Sequence, residues 1–78
     1  MAKTFYKELG KIFASIRKSH SYSQQYVADR LKVSRSLVSS WETGERNLYM
    51  DDFIRLCDIY NVDPNEVSNK VKKLIYKD

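Results

Sequence analysis

Two runs of eight and nine residues, each opened by a serine and separated by a two-residue turn, leave this chain little choice of fold. The first is Gln24 to Leu31, with Ser23 placed to cap it. A serine hydroxyl can accept from a backbone N–H that the first helical turn leaves unpaired. Lys32-Val33 makes the turn, and Ser34 caps the second run, Arg35 to about Thr43. Gly44 ends that run, because glycine takes positive φ without strain. Helices this short are marginal in water by themselves, so they must bury apolar faces against each other and against the rest of the chain. Val27, Ala28 and Leu31 supply the inner face of the first helix, and Val38 and Trp41 that of the second. Ala28 is small where the second helix has to cross. A bulky residue there would cost about 1–3 kcal/mol through overpacking.

The flanking segments also read as helices. Leu9, Ile12, Phe13 and Ile16 recur at helical spacing and predict a helix from about Phe5 to Ser19. Lys3, Lys7, Lys11 and Lys18 fall on its other faces. Ser19-His20-Ser21-Tyr22 is a linker of poor helix formers, with His20 expected to be exposed. A fourth helix is expected from about Met50 to Tyr60. Asp51 and Asp52 lie in its first turn, where the helix dipole favours anions, and Met50, Phe53, Ile54, Cys57 and Tyr60 are its expected inner face. Asn61 can take the left-handed stop. Asp63 then caps a fifth helix, with Pro64 at its first position. Val67, Val71, Leu74 and Ile75 form a stripe on this helix to about Tyr76, while Lys70, Lys72, Lys73 and Lys77 are expected to stay wet. No segment alternates with period two. The expected fold class is all-α, a compact five-helix bundle.

Seventy-eight residues suggest one small domain with a modest core. Apolar runs reach only three residues, as at Ile12-Phe13-Ala14, so no span across a membrane and no secretory signal is expected. The single cysteine, Cys57, excludes an internal disulfide and, with only one histidine, leaves no basis for a metal site. No cofactor is expected, and a reducing cytoplasm is the natural setting. The charge is unevenly spread. Residues 1–48 carry nine Lys or Arg against four Asp or Glu, residues 49–66 one against five, and residues 67–78 four against one. One face should attract a polyanion while another repels it.

Five fragments carry a resemblance: Ser23-Gln24, Val27-Ala28, Val33-Ser34-Arg35-Ser36, Trp41-Glu42-x-Gly44 and Val62-Asp63-Pro64-Asn65-Glu66-Val67. In this register the chain resembles the Cro/CI-type helix-turn-helix repressor family over residues 9–67. The resemblance implies a lambda-repressor-like fold whose third helix enters the major groove of double-stranded DNA. The expected organisation is a helix-turn-helix DNA-binding domain over residues 1–66 and a C-terminal helix extension over residues 67–78 as a dimerisation element. Three positions depart from the family pattern. Lys32 stands where a turn glycine is usual, Leu37 where Thr or Ala is common, and Leu48 where Pro is common. If Lys32 keeps positive φ, it carries strain of order 1 kcal/mol, offset if its amine reaches a phosphate. Leu37 sits beside the reading face, where it either meets a thymine methyl or packs on the second helix.

The expected base readers are Arg35, Ser36, Ser39 and Ser40, on one face of the third helix. Arg35 has the planar fork that matches guanine O6 and N7. Alone, the three serines would be a plain polar face; within the motif, their short side chains allow close helix approach. Gln24, Ser34, Thr43, Arg46 and Asn47 are the expected phosphate contacts, which position the protein without specifying sequence. Lys11 and Lys18 are possible additions. The family pairs a first-helix arginine with the glutamate of Trp-Glu, which here implies an Arg17–Glu42 ion pair. Trp41 and Cys57 are expected in the core.

The expected function is a sequence-specific transcriptional regulator, a phage or mobile-element repressor or equally a restriction–modification controller, bound as a homodimer to a two-fold operator. Two copies about 34 Å apart would read adjacent turns of the duplex. Val71, Leu74 and Ile75 are the expected dimer interface. The alternative is an antitoxin or adaptor whose last helix binds another protein. No small-molecule ligand is expected. An enzyme is not expected either: there is no His/Cys/Asp cluster and no glycine-rich phosphate loop.

Overall fold

The computed structural model describes residues 2–76, with side-chain surroundings from residue 4 onward. Those residues form five helices: α1 Ala2–Ser19, α2 Gln24–Leu31, α3 Arg35–Thr43, α4 Met50–Tyr60 and α5 Pro64–Ile75. The expected bounds hold for α2, α3 and α4, whose ends carry explicit chemical signals. Ser23 Oγ accepts from the Tyr26 N–H at 2.9 Å, and Ser34 Oγ from the Leu37 N–H at 3.1 Å. Asp63 Oδ1 accepts from the Asn65 N–H at 2.9 Å at the start of α5. Lys32, Gly44 and Asn61 close α2, α3 and α4 with φ of 60°, 83° and 55°. The first helix begins three residues earlier than its apolar stripe suggested. Lys77 lies outside the described residues, and α5 ends one residue short of Tyr76.

One core joins all five helices. Leu9 and Phe13 from α1, Val27, Ala28 and Leu31 from α2, and Val38 and Trp41 from α3 are buried together. Phe53, Leu56, Cys57 and Tyr60 from α4, Val67 and Val71 from α5, and Leu48 from the loop before α4 complete it. Helix α1 is central, packing against α3, α4 and α5, while α2 packs on α3. The crossing of α1 and α3 is close enough to need glycine. A methyl group at Gly10 would overlap the carbonyl oxygens of Trp41 and Glu42, and one at Gly44 would lie 2.7 Å from the Lys7 Cα.

Two expectations need correction. The inner face of α4 is Phe53, Leu56, Cys57 and Tyr60, whereas Met50 and Ile54 are exposed at 70% and 46%. Both sets have helical spacing. Leu56 wins because it meets Phe13, Val38, Trp41, Leu48 and Tyr60 around the centre of the bundle. Val71 is 1% exposed and belongs to the core, so it is no interface residue. His20 is exposed in the linker as expected, and it also bridges two helices. Its Nδ1 lies 3.0 Å from the Ile16 carbonyl oxygen and its Nε2 2.9 Å from that of Tyr60. It ties the end of α1 to the end of α4, and its ring packs 5.2 Å from that of Tyr22.

Lys32 bears a positive φ that glycine would accept freely. The left-handed conformation costs a non-glycine residue about 1–2 kcal/mol, part of which glycine returns through its freer unfolded chain. We expect Lys32→Gly to raise the unfolding free energy by about 0.5–1 kcal/mol, measured by urea denaturation.

Candidate nucleic-acid interface

Helices α2 and α3 meet through Val27, Ala28 and Leu31 on one side and Val38 and Trp41 on the other, all buried. That packing turns the opposite face of α3 outward. Arg35 and Ser36, in its first turn, are exposed, whereas Ser39 and Ser40 are half-buried because α3 rests on both α1 and α2. The polar ridge is therefore open at its N-terminal end and shallower one turn later. Leu37 is half-buried against the edge of the core and lines a cleft with Trp41, Glu45, Arg46, Asn47, Tyr49 and Asp52.

A hydrogen-bond chain runs behind the ridge. Arg17 donates from Nε to Glu42 Oε2 at 2.7 Å and from Nη2 to Glu42 Oε1 at 3.1 Å. Its Nη1 donates to the Tyr22 carbonyl at 2.8 Å. Glu42 Oε1 also takes a hydrogen bond from Gln24 Nε2 at 2.9 Å, and Gln24 Oε1 faces Arg35 Nη1 at 3.4 Å. The pair is nearly enclosed, with side chains 11% and 9% exposed. The hydrogen bond to Glu42 holds the Arg17 guanidinium above its usual range, against the opposing effect of burial. Tyr60 lies close by. Burial and the Glu42 charge push its phenol well up, with Arg17 pulling the other way. Burial also pushes the Cys57 thiol up to about 11, which leaves it a packing residue.

The expected phosphate contacts fall at the two ends of α3 and at the start of α2. Gln24 opens α2 and is half-buried through its bond to Glu42. Ser34 uses its acceptor as the α3 cap, which leaves its O–H free to donate. Thr43 is differently placed: its hydroxyl lies 3.2 Å from the Ser40 carbonyl and 3.1 Å from Glu45 Oε1. Arg46 and Asn47 are exposed in the loop after Gly44, with Asn47 Nδ2 3.5 Å from Tyr49 Oη. Sequence reasoning missed two contacts. Arg55 Nη2 donates to the Leu31 carbonyl at 2.6 Å, closing the end of α2. The Tyr22 carbonyl serves as the third acceptor for Arg17. Neither has a sequence signal, because a backbone oxygen has no residue type.

Removing one member of an enclosed ion pair strands the other. We expect Glu42→Gln to lower stability by about 3 kcal/mol in thermal or urea unfolding. The double change Arg17→Met with Glu42→Leu should cost less than that single change, since no charge is left uncompensated.

A family model described as helix-turn-helix matches residues 13–67. No curated protein matches the chain. Among solved structures, the crystal structure of the DNA-binding domain of BldD is similar, with a TM-score of 0.76 and 26% sequence identity. The match covers 86% of this chain and 97% of that one. Among the described residues, no helix is long and apolar enough to cross a membrane. With the turn between α2 and α3, the outward first turn of α3 and the bracing behind it in place, the chain belongs to the Cro/CI-type helix-turn-helix family.

Proposed function

We propose that this protein is a DNA-binding transcriptional regulator that places α3 in the major groove of a specific duplex site. One observation carries the reading: Arg35 and Ser36 project from the first turn of α3 with no role in the core. The groove of B-DNA is wide enough for an α-helix, and an arginine fork there matches guanine O6 and N7. Ser39 and Ser40 would read through shorter contacts or bridging water. Gln24, Ser34, Thr43, Arg46 and Asn47 would hold the backbone on either side. A domain that occupies the groove excludes other proteins from it, which favours repression.

A single α3 covers few base pairs, so the same reading includes a homodimer on a two-fold operator. Leu74 supports this, being 47% exposed on a helix whose other apolar residues face the core. Ile75 is half-buried beside it and would contribute its outer edge.

Arg35→Ala should cost about 1–3 kcal/mol of discrimination between the selected operator and a mismatched one. Its affinity for random duplex should stay nearly unchanged in fluorescence anisotropy. An equal loss on every duplex would make Arg35 a phosphate contact instead. Leu74→Glu should shift the protein from dimer to monomer in sedimentation velocity; an unaltered sedimentation coefficient would remove Leu74 from the interface.

A further inference from the structure

Residues 34–48 would face a polyanion, yet they hold two arginines against two glutamates. One glutamate is accounted for, because Glu42 is enclosed with Arg17. Glu45 is different. It is exposed, and no Lys or Arg among the described residues lies within ion-pairing distance of it. It stands between Thr43 and Arg46, two of the proposed backbone contacts, and lines the cleft beside α3 with Arg46 and Asn47. Its Oε1 lies 3.1 Å from the Thr43 hydroxyl.

We propose that Glu45 is an affinity brake, a carboxylate at the end of α3 that opposes DNA phosphates and keeps the Thr43 hydroxyl turned away from them. This inference rests on the DNA-binding reading above. Two effects act together. The first is Coulombic, since a carboxylate beside a phosphate repels it, and even through water this weakens binding by on the order of fivefold. The second is a competition for one hydrogen. Thr43 has a single O–H; both acceptors described for it, the Ser40 carbonyl and Glu45, belong to the protein. A phosphate must displace one of them. Phosphate contacts are made on every duplex and supply essentially all of non-specific affinity, so the brake weakens operator and random binding by the same factor. One copy then binds weakly, and lasting occupancy of an operator requires a second copy or a close sequence match. The useful outcome is a protein that lets go readily when its concentration falls.

The measurement uses the full chain and its Glu45→Gln and Glu45→Ala variants. Each is titrated against an operator recovered by selection and against random duplex, across a series of salt concentrations. Circular dichroism confirms that each variant is folded. Both variants should bind both duplexes about fivefold more tightly at low salt. The gain should fade as the screening length falls below about 8 Å. Thr43→Val in the Glu45→Ala background should remove part of that gain. Unchanged affinity in both variants would overturn the brake while leaving the DNA-binding reading intact. So would a loss of operator binding with a changed base preference, which would make Glu45 a reader of a cytosine amino group. If the wild type and both variants ignore every duplex at low salt, the DNA-binding reading falls, and the brake with it.

Discussion

Arg17 reaches from the last turns of α1 into the space behind α3, where Glu42 takes two of its N–H groups and the Tyr22 carbonyl a third. That single guanidinium touches three parts of the fold at once: α1, the linker that leads into α2, and α3. Its planar fork sets an angle as well as a distance, which an ammonium group would not do. Apolar packing between α1 and α3 would tolerate some sliding, since hydrophobic contact is non-directional. The bidentate pair does not. Because Gln24 also donates to Glu42, the same carboxylate fixes the first residue of α2. The two helices of the motif are thus held in register by one charged group that lies under their crossing.

Two close contacts share the load with that pair. Gly10 lets α1 lie directly on the carbonyls at the end of α3, and Gly44 lets the chain turn away against Lys7. Together they bring the end of α3 down onto α1 and leave its beginning raised. This explains why Arg35 and Ser36 are open while Ser39 and Ser40 are half-buried. The tilt of α3 is a consequence of where side chains are missing, not only of where they pack.

The charge pattern shows a second compromise. The stretch with the largest net positive charge contains the motif, yet the loop after α3 carries Glu45 next to Arg46. The acidic stretch that follows includes α4, whose Met50 and Ile54 lie exposed among Asp51 and Asp58. The long basic side chains at Lys70, Lys72 and Lys73 are on the surface of α5. A surface built only for tight attachment to a polyanion would not be arranged this way. Attraction that is partial and directional favours one orientation and allows release.

Helix ends, turns and the motif itself could be read along the chain because each depends on neighbours within a few residues. Ser23, Ser34 and Asp63 cap through contacts two or three positions away. Lys32, Gly44 and Asn61 needed only a local left-handed stop. The outward face of α3 at Arg35 and Ser36 followed too, because Val38 and Trp41 turn the opposite face of a nine-residue helix into the core. Sequence could not choose between two apolar stripes on α4 that share Phe53, Cys57 and Tyr60. It also could not tell that Val71 belongs to the monomer core while Leu74 does not. Periodicity gives the width of an apolar arc but not the direction in which it points. That direction is set by elements distant along the chain: α1 against α5, and the α1–α3 crossing that seats Leu56. The His20 bridge to Tyr60 and the grip of Glu45 on Thr43 likewise exist only once the backbone has been folded around them. Local chemistry settled what each segment would become, and only long-range packing decided which of its side chains remained free to act.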